Sequence, residues 1–328
     1  MKEFYVSVSG LPFDDIRALI KNLPKADVEA RGLAIERNEA LNVVFGTLGN
    51  QTNLMQWLAA WSGKSPVVTR PLIALFAGTH KVEDEMTKGV FANQESTLDS
   101  VTRLAAGGAP VNQVCAANDI GLKVFDLALQ HPVENILVDD AMDEKGSAAT
   151  IGFGMEAIAG GVDILGFSGF GKGAHIASAA ILALVLDRKV EEFLPKDDAH
   201  SIELANSAMD KHKSAKGNAL EILRKLGGRE HSALAGGILA ARTNHIPVVF
   251  DGLVAWSVLA VLQFENANTC DHCIGANKHE FLSQELDVSY VFEDVSILSE
   301  GSSSALAIAY LKSCADIHSN CVLNIDES

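Results

Sequence analysis

The sequence predicts an α/β fold in which a mostly parallel β-sheet is covered by helices on both faces. Short apolar runs alternate with longer segments of helical periodicity along most of the chain. The chain has 328 residues, of which 48% are hydrophobic, so it can bury a sizeable core. No internal repeat, low-complexity tract or Pro/Ser-rich linker divides it. We therefore treat the chain as one folding unit.

Helical patterns occupy both chain ends and the segments between the apolar runs. The first pattern has Asp14 and Asp15 in its first turn and is interrupted by Pro24. A second, amphipathic pattern ends at Gly63. Helices are predicted within residues 12–42, 53–63, 96–108, 148–161, 176–187, 219–242 and 299–320.

Short apolar runs between these helices are predicted to be strands, because they are too short for buried helices. They are residues 71–78, 121–129, 135–138, 162–167 and 246–252, and a further strand-like piece spans 288–298. In open parallel sheets, ligands bind beyond the carboxyl ends of the strands. The candidate ligand-binding loops are therefore residues 78–81, 139–142, 168–175 and 251–252.

The charge of the chain argues against a nucleic-acid partner. The formal net charge is −16, from 42 acidic and 26 basic residues, whereas phosphate-backbone binding needs concentrated positive charge. Small molecules are the expected partners. The first ten residues, MKEFYVSVSG, do not resemble a signal peptide, and no run of about 18 uncharged apolar residues occurs. We expect a cytoplasmic protein without membrane contacts.

The five cysteines, an odd number, are interpreted as reduced thiols. Cys270 and Cys273 have C-x-x-C spacing, with His272 between them and His279 nearby, so zinc or redox chemistry is an alternative. The chain lacks a second close pair of this kind. Chance spacing in a segment between a helix and a loop is the preferred interpretation.

A glycine-rich segment follows one of the predicted strands and precedes a helix. Residues 166–173, GFSGFGKG, fit the phosphate-loop pattern G-x-x-x-x-G-K-[ST] except at the last position. The missing hydroxyl is the group that would bind Mg²⁺, which weighs against a nucleoside triphosphatase. Backbone amides at a helix N-terminus would still favour an anion here. A close-packed turn without a ligand is the alternative.

The loops, taken in order, resemble those of the nicotinate-nucleotide:dimethylbenzimidazole phosphoribosyltransferases. The similarity is nearly end to end and includes SGLPFDDIRAL, RPLIALFAGTH, LAAGGAPVNQVC, DAMDEKGSAATIGFGMEAIAGGVDIL, LGGREHSALAGGILAAR, IPVVFDG and SEGSSSALA. Long collinear matches are more specific than any single motif. The resemblance implies transfer of phosphoribose from nicotinate mononucleotide to 5,6-dimethylbenzimidazole or a related base, for the lower ligand of cobalamin.

The resemblance also implies a catalytic base. The family's glutamate lies in R-L-G-E-G-T-G-A-A-L, and residues 297–306 match that motif with Glu300 retained. Attack by a benzimidazole nitrogen on the anomeric carbon is helped when a carboxylate removes the proton from the other nitrogen. Leu298, Gly301 and Ser302 are implied to bind substrate. The alternative from the residues alone is a glutamate that caps a helix start.

Other family motifs imply further binding residues. Gln94 corresponds to a glutamine that lies beside the aromatic base. The family's phosphate motif G-E-M-G-I-G-N-T-T matches residues 166–174, which implies that Gly169, Gly171, Lys172 and Gly173 bind the donor phosphate. His80, Glu230 and Asp251 also match family positions, and each is alternatively a structural hydrogen-bonding residue.

Several motifs depart from the family pattern, which makes this chain a divergent member. The Glu and Asn-Thr-Thr side chains of the phosphate motif are absent, and VEEFLPK at 190–196 replaces a G-R-G-T-G loop. Lost phosphate contacts of about 1.5–3 kcal/mol each would weaken donor binding. A non-catalytic paralogue that binds an aromatic base or pairs with an active relative is therefore an alternative. So is an enzyme with a changed donor or acceptor.

The resemblance implies a Rossmann-like catalytic domain over residues 70–300 and a small helical domain built from 1–69 and 301–328. It implies a homodimer, and it implies neither a metal nor an organic cofactor. The helix at 53–63 would suit an interface, with ordinary core packing as the alternative.

Overall fold

The computed structural model describes residues 12–46, 49–156, 160–294 and 300–323. Its described residues form one six-stranded parallel sheet with the order β2-β1-β3-β4-β5-β6. The strands are β1 Pro71–Ala77, β2 Gly121–Asp126, β3 Ile164–Phe170, β4 Val248–Phe250, β5 Cys273–Asn277 and β6 Tyr290–Phe292.

Helices precede, connect and follow these strands. They are α1 Pro12–Lys21, α2 Val28–Phe45, α3 Gln51–Ser62, α4 Thr97–Ala105, α5 Pro110–Asn118, α6 Glu144–Glu156, α7 Ala174–Leu186, α8 Ala199–His212, α9 Ala219–Leu226, α10 Arg229–Thr243, α11 Gly252–Glu265, α12 Leu282–Glu285 and α13 Ser302–Asn320. Short 3₁₀ turns lie at Lys81–Glu85, Val190–Glu192 and Lys213–Ala215.

Alternate residues of the central strands enter two separate cores. Leu72, Ala74 and Phe76 of β1 pack in a core with α7, α9, α10 and α11. The intervening residues of β1, 73, 75 and 77, pack with α3, α5 and α13 on the other face. Because helices cover both faces, β1 and β3 are buried along their whole length. The predicted fold class is confirmed.

Five predicted strands are confirmed with changed ends, and one of them is β6 within the predicted piece 288–298. The predicted runs 71–78, 121–129, 162–167 and 246–252 correspond to β1, β2, β3 and β4. The largest change is in β3, which continues to Phe170 because Gly169 and Phe170 pair in register with Phe76 and Ala77 of β1. Most of the glycine-rich segment is therefore strand and not loop.

The predicted strand at 135–138 is wrong, since these residues form a turn. The side chain of Asn135 accepts a hydrogen bond from the amide of Leu137, and its carbonyl accepts one from Val138. This local bonding is typical of an Asx turn and competes with strand pairing. Strand β5 was not predicted, because the five residues of this strand begin inside the C-x-x-C segment.

Helix α3 packs in the core, and its role in an interface stays a prediction. Leu54, Met55 and Leu58 of α3 are buried against β1 and α13. Helix α13 packs on the sheet as well as on α3 and α5. The division into a 70–300 domain and a domain from both chain ends stays a prediction. None of the described helices is long and apolar enough to cross a membrane.

Candidate active site

The strand order reverses between β1 and β3, because β2 lies on one side of β1 and the later strands lie on the other. In open parallel sheets a ligand binds outside the carboxyl ends at such a point. Gly78 follows β1 here, and Gly171 follows β3. The amide of Gly78 donates to the carbonyl of Phe170 at 3.0 Å. A methyl group on Gly171 would collide with the carbonyl oxygen of Gly78, so the close approach needs glycine.

The turn from β3 into α7, Gly171-Lys172-Gly173, is called the glycine turn below. Gly173 caps α7 with φ +91°, a conformation that favours glycine. Gly169 lies within β3, where a Cβ would approach Val254 to 2.6 Å, so packing alone requires a small residue there. Of the predicted phosphate residues, Gly171, Lys172 and Gly173 form the turn and Gly169 supports it from the strand.

Part of the hydrogen-bonding capacity of the glycine turn is already used. The amide of Lys172 donates to Oγ1 of Thr97 at 3.0 Å. The amides of Ala174 and Ile176 donate to the carbonyls of Gly171 and Gly173, both at 3.0 Å. Among the described residues we find no acceptor for the amides of Gly173 and His175. These two amides, at the positive end of α7, are the donors available to an anion.

The side chain of Lys172 adds positive charge beside this turn. Burial raises the pKa of Glu83, and the nearby Lys172 ammonium opposes that shift. Lys172 therefore lies near the carboxylate of Glu83. Among the described residues no direct ion pair joins these two side chains. An anionic ligand could compete with Glu83 for this lysine.

Gln94 lies in a turn segment that covers the start of α7. Phe91 of this segment stacks on His175 with ring centroids 4.0 Å apart, and the amide of Val90 donates to the carboxylate of Asp198 at 3.2 Å. Burial lowers the pKa of His175 to about 4, so its ring is neutral near pH 7. Oε1 of Gln94 is buried without a hydrogen-bond partner among the described residues. That oxygen can accept a hydrogen bond from a ligand.

Asp251, directly after β4, anchors the segment that carries Glu300. Its carboxylate accepts hydrogen bonds from the amide of Gly301 at 3.0 Å and from that of Ser304 at 2.9 Å. The pKa of Asp251 is raised, mainly by burial. The nearby charge of Glu300 adds to this shift, and hydrogen bonds from Ser304, Ser168 and Gly301 oppose it. Gly301 has φ +78° and is the N-cap of α13. The cap is therefore Gly301 with the Asp251 carboxylate, and Glu300 does not cap this helix.

Glu300 is exposed at the turn before α13. Ser302 is buried in the first turn of that helix. Leu298, the other predicted residue of this motif, lies outside the described residues. The structure thus brings Glu300, Gly301 and Ser302 to the carboxyl end of β4, within the electrostatic range of Asp251.

A cavity of about 270 Å³ opens beside Asp251, at the carboxyl ends of β4 and β5. Its size is at the lower end of small-molecule pockets, about 300 Å³. Phe193, Phe250 and Trp256 supply aromatic walls, and Asn277, Lys278 and His279 supply polar atoms. Asn277 and Lys278 were not predicted as site residues, because β5 was not predicted. Recognition of residues 273–277 as a strand would have directed attention to the loop after it.

A larger surface groove of about 1030 Å³ lies next to this cavity. Its lining includes Glu191, Glu192, Glu280 and Glu285, while its Arg188 is paired with Glu285 at 2.6 Å. Lys189 and Lys196 also line the groove, so its carboxylates exceed its cations by one, and this charge balance does not favour a phosphate. The cavity at β4 and β5 suits a flat heterocycle better.

Buried histidine and glutamate side chains lie beneath the glycine turn. Oε1 of Glu230 is 2.7 Å from Nε2 of His80 and 2.7 Å from Nδ1 of His231. All three side chains are at most 1% exposed. Burial by itself raises the pKa of Glu230, but the charges and hydrogen bonds of the two histidines outweigh burial and lower it.

These three side chains offer two nitrogens and one oxygen, a donor set that zinc accepts. Ligands at 2.0–2.1 Å from one ion would lie about 3 Å or more from each other. The separations of 2.7 Å are those of hydrogen bonds. We therefore describe the group as a hydrogen-bonded cluster.

The C-x-x-C pair does not show the features of a reactive or zinc-binding site. Cys270 and Cys273 are buried, and burial raises the pKa of Cys273 well above its ordinary value. Nε2 of His272 bonds to the carbonyl of Ile238 at 3.0 Å. Within the described residues no group of three metal ligands forms around the pair. The segment leads from a turn into β5, and not from a helix into a loop as predicted.

The described residues define a doubly wound α/β protein with a cavity at the carboxyl ends of β4 and β5. A family model described as phosphoribosyltransferase matches residues 23–324. The chain therefore belongs to this phosphoribosyltransferase family, which confirms the resemblance found in the sequence.

Individual relatives agree with this assignment. A protein from Agrobacterium fabrum named nicotinate-nucleotide–dimethylbenzimidazole phosphoribosyltransferase is 43% identical over 327 residues, 96% of this chain and 94% of that protein. A Brucella anthropi protein with the same name is 42% identical over 328 residues, 96% of each chain. The crystal structure of a Thermus thermophilus enzyme of this name has a TM-score of 0.78 at 22% identity and covers 89% of this chain and 96% of that one. At that identity, the structural match supports the fold alone.

Proposed function

We propose that this protein transfers phosphoribose from nicotinate mononucleotide to 5,6-dimethylbenzimidazole or a related base, in the synthesis of the lower ligand of cobalamin. The observation that carries the proposal is the anchoring of the Glu300 turn by Asp251 beside the cavity at β4 and β5. Relatives over 40% identical across 96% of the chain carry the matching name.

Glu300 acts as the general base in this proposal. One benzimidazole nitrogen attacks the anomeric carbon of the donor, and the new C–N bond forms as the bond to the nicotinate nitrogen breaks with its electron pair. Glu300 takes the proton from the second benzimidazole nitrogen. Although Glu300 is exposed, a bound aromatic ring would screen its carboxylate from water and strengthen it as a base.

The glycine turn holds the donor phosphate in this proposal. The amides of Gly173 and His175 point from the start of α7, and the Lys172 ammonium supplies a full charge. This arrangement uses backbone atoms and one lysine in place of the side chains that the family motif would supply. Gly171 allows the close backbone approach, and Gly169 supports the turn by packing against Val254. Gln94 lies beside the acceptor base in this proposal, and its Oε1 has no hydrogen-bond partner among the described residues.

We also propose a cytoplasmic homodimer with the domain division given above. Side chains of α2 support an interface: Val28, Leu33, Val43, Val44 and Phe45 are between 48% and 87% exposed. Several exposed large apolar side chains on one helix favour a protein–protein contact. Sedimentation of the purified chain tests the dimer, and a monomer at micromolar concentration would contradict it.

Nicotinate release from the mononucleotide in the presence of dimethylbenzimidazole tests the function. Glu300→Gln should lower kcat by roughly a hundredfold or more, because a general base contributes about that much. Glu203→Gln, at an exposed glutamate of α8, serves as the control. Turnover should depend on both substrates.

Three outcomes distinguish the alternatives. Binding of benzimidazole without binding of the mononucleotide would support a non-catalytic paralogue. Turnover with other bases but not with dimethylbenzimidazole would support a changed acceptor. Full activity of Glu300→Gln would show that Glu300 is not the base.

A further inference from the structure

We propose that a buried chain of four side chains, Ser178, His231, Glu230 and His80, positions the glycine turn for the donor phosphate. The proposal rests on the proposed function, because it concerns the same phosphate site. These four residues are between 0% and 1% exposed, so none of them can contact a ligand directly in this structure. They are positioning residues and not catalytic ones.

This buried chain of side chains begins at the first turn of α7. Oγ of Ser178 donates to the carbonyl of Ala174 at 2.8 Å, and Oγ lies 2.9 Å from Nε2 of His231. A serine hydroxyl has one proton, and here the carbonyl takes it. Nε2 of His231 is therefore the donor to Ser178. The orientation of the His231 ring is coupled in this way to the backbone at the start of α7.

The chain continues through a carboxylate to the segment after β1. Oε1 of Glu230 lies 2.7 Å from Nδ1 of His231 and 2.7 Å from Nε2 of His80, and Nδ1 of His231 also accepts from the amide of Gly228 at 3.1 Å. His80 and Glu230 are 150 positions apart in sequence. One continuous set of contacts thus links α7, the start of α10 and the residue that precedes the 3₁₀ turn at Lys81–Glu85.

The ring of His80 fills the space directly beneath the glycine turn. A Cβ on Gly171 would be 3.5 Å from Cδ2 of His80, and a Cβ on Gly173 would be 3.5 Å from its Cβ. On the other side of the ring, a Cβ on Gly228 would be 2.6 Å from Cε1 of His80. His80 therefore lies between the glycine turn and Gly228, close enough that a shift of its side chain would leave the turn without its neighbour.

Two polar atoms of this buried chain of side chains make no hydrogen bond within the described residues. Oε2 of Glu230 and Nδ1 of His80 have no hydrogen-bond partner among the described residues. If stability were the only requirement, apolar side chains in place of these groups would give a larger free energy of unfolding. Retention of a costly polar cluster beneath an anion-binding turn is consistent with a positioning role.

Ser178→Ala tests the proposal, because it removes the link from His231 to the start of α7, one of the two contacts between the buried residues and the turn, at the cost of one atom. Ser257→Ala is the matched control, since Ser257 is also fully buried and its hydroxyl donates to a carbonyl of its own helix at 2.8 Å. We expect the dissociation constant for nicotinate mononucleotide to rise about tenfold in Ser178→Ala only. The constant for dimethylbenzimidazole should not change in either variant. Equal donor affinity in the two variants would overturn the proposal.

His231→Gln provides a second test, because a glutamine amide can replace Nε2 as the donor to Ser178. This variant should retain more donor affinity than His231→Ala. A failure of wild-type protein to bind the mononucleotide would contradict the proposed function and not this inference. In that case amide hydrogen exchange over residues 171–176 tests the inference. Faster exchange in Ser178→Ala than in Ser257→Ala would support a positioning role of the buried residues, and equal exchange would refute it.

Discussion

Asp251 and Gly301 are joined by a hydrogen bond of 3.0 Å between a carboxylate that follows β4 and an amide that begins α13. A second bond of 2.9 Å, from the amide of Ser304, makes the carboxylate a cap supplied from another element. This cap holds the turn with Glu300 against the carboxyl end of the sheet. The geometry of the candidate base thus depends on a residue distant in sequence.

Asp251→Ala should therefore affect both stability and turnover. Loss of two hydrogen bonds should lower the free energy of unfolding by about 1–3 kcal/mol, and misplacement of Glu300 should lower kcat by roughly tenfold to a hundredfold. Urea unfolding and nicotinate release measure the two effects. Asp27→Ala removes the cap of α2, where Asp27 accepts from the amide of Ala30 at 2.9 Å. This control should lose about 1 kcal/mol without a change in kcat. Equal kcat in both variants would contradict the role of Asp251.

Lys172→Ala should weaken donor binding selectively. Loss of one charged contact to phosphate should raise the dissociation constant for nicotinate mononucleotide by roughly tenfold or more. Affinity for dimethylbenzimidazole should stay the same in a calorimetric titration. Lys123→Ala, on the exposed side of the edge strand β2, is the control for loss of a positive charge. An unchanged donor affinity in Lys172→Ala would place the phosphate elsewhere.

His175 should make the protein less stable in acid. Its pKa in the folded state is about 4 because of burial, whereas the unfolded value is about 6.5. The unfolded state therefore binds the proton first as the pH falls from about 6.5 to about 4, and the folded state loses stability over that window. The contribution is of the order of 3 kcal/mol.

His175→Gln should remove this part of the pH dependence. The difference in unfolding free energy between pH 7 and pH 4.5 should be smaller in this variant than in the wild type. His131→Gln, at an exposed histidine, should follow the wild-type curve. Parallel curves for His175→Gln and the wild type would contradict the assigned shift.

Gly171→Ala should be strongly destabilising, because its methyl group would collide with the backbone carbonyl of Gly78. A backbone atom between two central strands cannot move away as a flexible side chain can. We expect a loss of about 2 kcal/mol or more in unfolding free energy, as for other overpacked positions. Gly32→Ala in α2 has no atom within 4 Å of the new methyl and should be stabilised by about 0.5–1 kcal/mol. Chemical denaturation of the pair measures the contrast, and a neutral Gly171→Ala would refute the close contact.

Local patterns in the sequence predict much of the fold. Apolar runs of five to eight residues mark β1 and β3, because strands covered on both faces need no polar alternation. Proline at position 24 and glycine at 63 mark helix ends. The strand prediction for 135–138 is wrong because the side chain of Asn135 closes a turn. The apolar composition of the run does not indicate this hydrogen bond.

Local periodicity and collinear motifs are enough to predict the fold class, the family and the candidate base Glu300. Other features follow only from the three-dimensional packing: most of the glycine motif is a strand, Asp251 caps α13, and His80, Glu230, His231 and Ser178 form one buried chain. Such contacts join residues far apart in sequence. Their distances depend on strand order and helix packing, which no local pattern records.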